Sequence, residues 1–72
     1  MNVIAVNPTT LRITIPVNYI EESNRLKHDI PREQRMYDPS RKIWTITDAD
    51  KLVHLDYVRR ALDEYGTQLP LF

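Results

Sequence analysis

The chain has 72 residues, no cysteine and a single glycine, with ten basic and ten acidic residues for a formal net charge of zero. That length holds one small domain, the missing cysteines exclude disulfides and thiolate zinc sites, and zero net charge excludes nucleic-acid binding by bulk charge alone. No apolar run approaches the ~18 residues of a membrane span, and the opening MNVIAVNPTT lacks the basic segment and apolar run of a secretion signal. The expected setting is therefore the cytoplasm.

The stretch NVIAV is apolar and β-branched, and NPTT after it is turn chemistry. LRITIP then alternates, with Leu11, Ile13 and Ile15 on one side and Arg12 and Thr14 on the other. That is the period of a half-buried strand. The two strands form a hairpin, and Pro16 ends the second because it has no N–H for a ladder.

A short helix is expected over NYIEESNRLKHDI. Asn18 and Glu21 have capping-box spacing. Tyr19, Ser23, Leu26 and Ile30 make a thin stripe, interrupted by the serine. Pro31 disfavours helical geometry at Ile30 and stops the helix. EQRMY and KIWTIT then read as a second hairpin around the turn initiator DPS. Asp48 stands as N-cap of a last helix, ADKLVHLDYVRRALDEY, whose stripe is Leu52, Leu55, Val58, Leu62 and Tyr65, with Ala61 beside it. Gly66 sits where a left-handed C′ residue is wanted, leaving TQLPLF as a tail.

The order is ββαββα. The fold class is α+β, with two antiparallel hairpins in one sheet packed mainly on the C-terminal helix. The pattern leaves the order of the hairpins in the sheet open. A domain over residues 1–66 and a linear segment over 67–72 are expected.

Nothing points to catalysis. No cysteine nucleophile or glycine-rich phosphate loop is present. His28 and His54 fall in different elements without metal-site spacing. They read as solvated surface residues, and Asp48, Asp50, Asp63 and Glu64 gather at helix ends. No cofactor, metal ligand or catalytic residue is assigned, and the chain is expected not to be an enzyme.

The second hairpin is more informative. Arg25, Lys27, Arg32, Arg35, Arg41 and Lys42 lie within residues 25–42 against only Asp29, Glu33 and Asp38, so this stretch is basic and the remainder acidic. Basic side chains grip phosphates, and flat rings can stack on bases. Tyr37 and Trp44 are expected to face each other across the hairpin and to pack against the last helix. Arg32, Arg35, Arg41 and Lys42 are then the candidates for DNA contact.

The segment IPREQRMYDPSRKIWTI resembles the HARP module found at the front of Swi/Snf-type annealing helicases. Ile30, Pro31, Arg35, Asp38, Pro39, Lys42, Trp44 and Ile46 carry the likeness. REQ replaces the glycine turn after the proline, and Tyr37 stands where tryptophan is usual. The resemblance implies a module that binds branched or single-stranded DNA. No motor domain accompanies it, so no ATPase is implied.

The ending QLPLF resembles the short peptide by which bacterial polymerases and repair proteins dock on the β sliding clamp. Gln68, Leu69, Leu71 and Phe72 match its informative positions, with Pro70 at the tolerant middle one. Leu69, Leu71 and Phe72 suit apolar pockets, the Gln68 amide can orient by hydrogen bonds, and Pro70 stiffens the extended form. The alternative use of these side chains is to fold back over a thin core.

Three functions follow. The first is a phage- or plasmid-encoded replication or repair accessory that docks on the clamp through Gln68–Phe72 and binds DNA through the basic hairpin. The second is an inhibitor that fills the clamp pocket and blocks host polymerases without touching DNA. The third is a protein-interaction module whose tail belongs to its core.

Overall fold

The structure, a computed structural model, describes residues 1–68. Strands β1 (Asn2–Asn7) and β2 (Thr10–Thr14) form the first hairpin, and α1 (Ile20–Asp29) follows. A 3-10 turn over Arg32–Gln34 leads into the second hairpin, β3 (Arg35–Asp38) and β4 (Ile43–Ile46). A second 3-10 turn, Ala49–Leu52, precedes α2 (Asp56–Gln68). The α+β class and the element order expected from the sequence are those observed. Among the described residues, no helix is long and apolar enough to cross a membrane.

The four strands make one antiparallel sheet in the order β1-β2-β4-β3. β2 is central because its alternation is the strongest in the chain: Leu11 and Ile13 are fully buried. They pair with Ile46 and Trp44 of β4, so one face of the sheet is continuously apolar. Leu26 and Ile30 from the α1 side, Ala49 and Leu52, and Val58 and Ala61 of α2 complete the core. No buried residue of the described chain is polar.

The opposite face carries no helix residue of the core. The row Ile4–Arg12–Thr45–Met36 runs across it from edge to edge, and Ile4 and Met36 are exposed. The sheet is thus a two-layer half-sandwich, with both helices on one side.

Four local expectations are corrected. The Asn18–Glu21 capping box does not form. The Tyr19 N–H closes a turn on the Pro16 carbonyl at 2.9 Å, and α1 begins at Ile20 with no side-chain cap. Glu21 and Glu22 remain in its first turn and Lys27 and His28 in its last, matching the helix dipole.

The last helix is not one piece from Asp48. Asp48 is left-handed, at φ 51° and ψ 40°, and makes no capping bond. The neighbouring Ala49 N–H donates to the Thr9 carbonyl at 2.8 Å, and Thr47 N–H to the Gln34 carbonyl at 2.8 Å. These long-range bonds hold residues 47–49 against both hairpins, so the chain turns through a 3-10 segment before α2 starts.

Gly66 does not stop α2. It has no positive φ, and the helix continues to Gln68. The Thr67 hydroxyl donates to the Asp63 carbonyl at 2.9 Å, a local bond within the last turn. The boundary expected at residue 66 therefore falls inside the helix.

Finally, Trp44 does not pack on α2. The strand order places α2 over β1, where Val3 lines a hollow with Tyr57 and Ala61. β4 lies on the α1 side, and the Lys27 ammonium sits 6.0 Å from the centre of the Trp44 ring.

Candidate nucleic-acid interface

The β3–β4 hairpin is built around a turn with its own acceptor. The Asp38 carboxylate accepts from the Ser40 hydroxyl at 2.6 Å and the Ser40 N–H at 3.0 Å. It also accepts from the Arg41 N–H at 3.3 Å. The Ser40 hydroxyl bond above all lowers the Asp38 carboxyl below its ordinary range; desolvation opposes it, and the backbone N–H groups of Arg41 and Ser40 and the Arg41 charge lower it further. Lys42 closes the turn through its N–H to the Asp38 carbonyl at 2.7 Å. To do so it takes a left-handed conformation, φ 58°, that costs a lysine about 1–2 kcal/mol.

Tyr37 and Trp44 are directly cross-strand, as expected from the hairpin register. Their ring centres are 4.8 Å apart and tilted by 46°, a favourable offset geometry. They divide the work. Trp44 is buried at 9% exposure, whereas Tyr37 keeps 42% of its surface open. Only the tyrosine ring is available to a ligand face.

The four arginine and lysine candidates are not one patch. Arg32 and Arg35 stand at the start of β3, and Arg41 and Lys42 at its turn, with the strand of roughly 10 Å between them. Arg35 is partly committed to the fold. Its Nε donates to the Ile30 carbonyl at 3.1 Å, and its guanidinium lies 6.0 Å from the Trp44 ring centre. It ties the end of α1 to the hairpin. Arg41 is 70% exposed and reaches Asp38 only at 4.0 Å.

Ion pairs neutralise some of the basic side chains and not others. Asp29 pairs with Arg25 at 3.7 Å, and Asp56 pairs with Arg59 at 2.7 Å and Arg60 at 3.0 Å. Among the described residues, Lys27, Arg32, Arg35 and Lys42 near the second hairpin have no carboxylate partner, and neither do Arg12 on β2 and Lys51 before α2. Four of the six unpaired cations thus lie in or beside the second hairpin although the chain is neutral. Lys27 belongs to the basic stretch but is not among the DNA-contact candidates that the sequence points to. Its signal in the sequence is weak, because its approach to Trp44 depends on how α1 lies on the sheet.

A second polar cluster joins the helices. The Tyr57 hydroxyl donates to Asp29 Oδ2 at 3.3 Å. Burial, then the Asp29 charge and hydrogen bond, push the Tyr57 phenol up to about 12, with Arg25 opposing. Among the described residues, no group of three or more His, Asp or Glu side chains comes together as a metal site would require.

Of the docking candidates, Gln68 is the last residue of α2. Leu69, Leu71 and Phe72 lie outside the described residues. The described core is assembled by residues from Leu11 to Ala61.

Comparison with protein-family models, with curated proteins and with solved structures returned no match.

Proposed function

We propose that this protein is a non-enzymatic accessory of DNA replication or repair. It binds DNA along the second hairpin and docks on a bacterial sliding clamp through Gln68, Leu69, Leu71 and Phe72. The observation that carries the DNA half is a group of cations without carboxylate partners beside the second hairpin, Lys27, Arg32 and Lys42 among them, near an exposed tyrosine ring. Cations already neutralised by a carboxylate gain less from a phosphate than free ones do. The clamp half rests on the QLPLF resemblance.

Each contact is modest. Burying two or three apolar side chains contributes roughly 1.5–3 kcal/mol each before association costs, which suits a peptide of about micromolar affinity. Two contacts on one assembly raise the effective concentration of each. A clamp that encircles DNA presents both at once.

The inhibitor reading keeps one observation in its favour, the zero net charge. Two measurements separate them. The first compares clamp binding by the full chain and by a Leu71→Ala/Phe72→Ala double variant. Loss of binding in the variant is expected, and equal binding overturns the docking role. The second follows DNA affinity against salt, where a steep decline is expected from phosphate contacts. No DNA binding at low salt, with clamp binding intact, leaves the inhibitor.

A further inference from the structure

Beside the hairpin lies a cleft of about 290 Å³ whose lining includes Pro16, Val17, Ser23, Lys27, Tyr37 and Trp44. It joins three parts of the chain: the exit of β2, the outer face of α1 and the aromatic pair of β3 and β4. Its chemistry is mixed in a particular way. Tyr37 offers a partly open ring beside the buried Trp44, and Val17 is 71% exposed at the cleft. Lys27 has no carboxylate partner, and the Ser23 hydroxyl makes no hydrogen bond among the described residues. A flat apolar surface, a free hydroxyl and a free ammonium within one small cleft match one unit of a nucleic-acid strand: base, sugar and phosphate.

We infer that this cleft holds a single unpaired nucleotide of a DNA strand, with the base stacked on Tyr37 and its phosphate held by Lys27. The inference rests on the DNA-binding reading above and adds where an unpaired base goes. The volume suits one nucleotide rather than a base pair. A duplex buries its base faces in its own stack, so it presents no ring to Tyr37. Stacking on a protein ring is sequence-tolerant, because every base has a π face. The ammonium over Trp44 already sits at cation–π distance, so it is held at the rim without a carboxylate. Arg32 on one side and Arg41 and Lys42 on the other then meet the neighbouring phosphates.

The test uses the full chain, short oligothymidylate and a duplex of the same length. Trp44 is the only tryptophan and lies 4.8 Å from Tyr37, so its fluorescence reports on the cleft. The expected result is a fluorescence change with oligothymidylate and weaker binding of the duplex. Tyr37→Phe keeps the platform and binds as the parent does. Tyr37→Leu loses roughly 5–150-fold in affinity for the single strand. Lys27→Gln lowers the slope of log affinity against log salt by about 0.7, one phosphate of a single strand. Ser23 and Lys27 are at the surface of α1, so Lys27→Gln reads the cleft even if Tyr37→Leu fails to fold. Oligothymidylate bound with parental affinity and slope by Lys27→Gln overturns the cleft and leaves DNA binding in place. Binding of duplex and single strand alike, without a fluorescence change, does the same. No binding of either nucleic acid at low salt overturns the cleft together with the DNA-binding reading.

Discussion

The Tyr57 hydroxyl of α2 donates to the Asp29 carboxylate at the end of α1, 3.3 Å away. The two helices otherwise meet through the core, so this bond fixes how α2 is set against α1. It also makes the fold sensitive to alkali. The folded phenol keeps its proton to about pH 12, whereas the unfolded one loses it near 10.0. Between those values the unfolded chain binds fewer protons, so stability falls as pH rises. The contribution is complete below pH 10 and lost by about 12. Absorbance titration of tyrosinate should show a late-ionising group that Tyr57→Phe removes, and the variant should lose about 0.5–1.5 kcal/mol at neutral pH.

Gly66 gives a test whose sign is decisive. A left-handed glycine replaced by alanine destabilises a protein. Here Gly66 is helical, and a Cβ built on it meets nothing within 4 Å. Gly66→Ala should therefore raise stability by about 0.5–1 kcal/mol in urea unfolding. A loss of stability would mean that α2 ends at residue 66 after all.

Lys42 stands in a conformation that glycine adopts freely. Lys42→Gly should raise stability by about 0.5–1 kcal/mol, the left-handed penalty less the entropy of glycine. The same change should weaken DNA binding and flatten its salt dependence, because it removes a cation without a carboxylate partner. A thermal melt and a salt titration on one sample check both. Strain kept at a basic turn residue is explained if the charge is needed there.

Arg35 and Arg41 should behave differently although both are arginines of one hairpin. Arg35→Gln removes the Nε donor to the Ile30 carbonyl and should cost about 1–2 kcal/mol. Arg41→Gln removes a long, exposed pair and should change stability by less than about 0.5 kcal/mol. Denaturant midpoints of the two variants measure the contrast. If both affect DNA affinity equally, Arg35 serves the ligand as well as the fold.

Much of the architecture was legible in short stretches. The alternation of Leu11, Ile13 and Ile15 determined a strand with one buried face, and Pro31 determined where α1 stops. DPS between strand-prone runs determined the second hairpin and so the facing of Tyr37 and Trp44. Each of these depends on residues within a few positions of one another, where side-chain period and backbone sterics decide the outcome.

Tertiary structure decided the rest. The break before α2 comes from the Ala49 N–H reaching the Thr9 carbonyl, a partner forty residues away in the chain. The choice of α1 over α2 as the cover of Trp44 comes from the strand order, which local pattern does not encode. The packing of α1 on the sheet brought Lys27, Ser23 and Tyr37 to one cleft. A basic stretch could be read along the chain. Its pairing is local, Arg25 with Asp29 and Arg41 with Asp38, whereas the place of Lys27 over Trp44 depends on how α1 lies on the sheet.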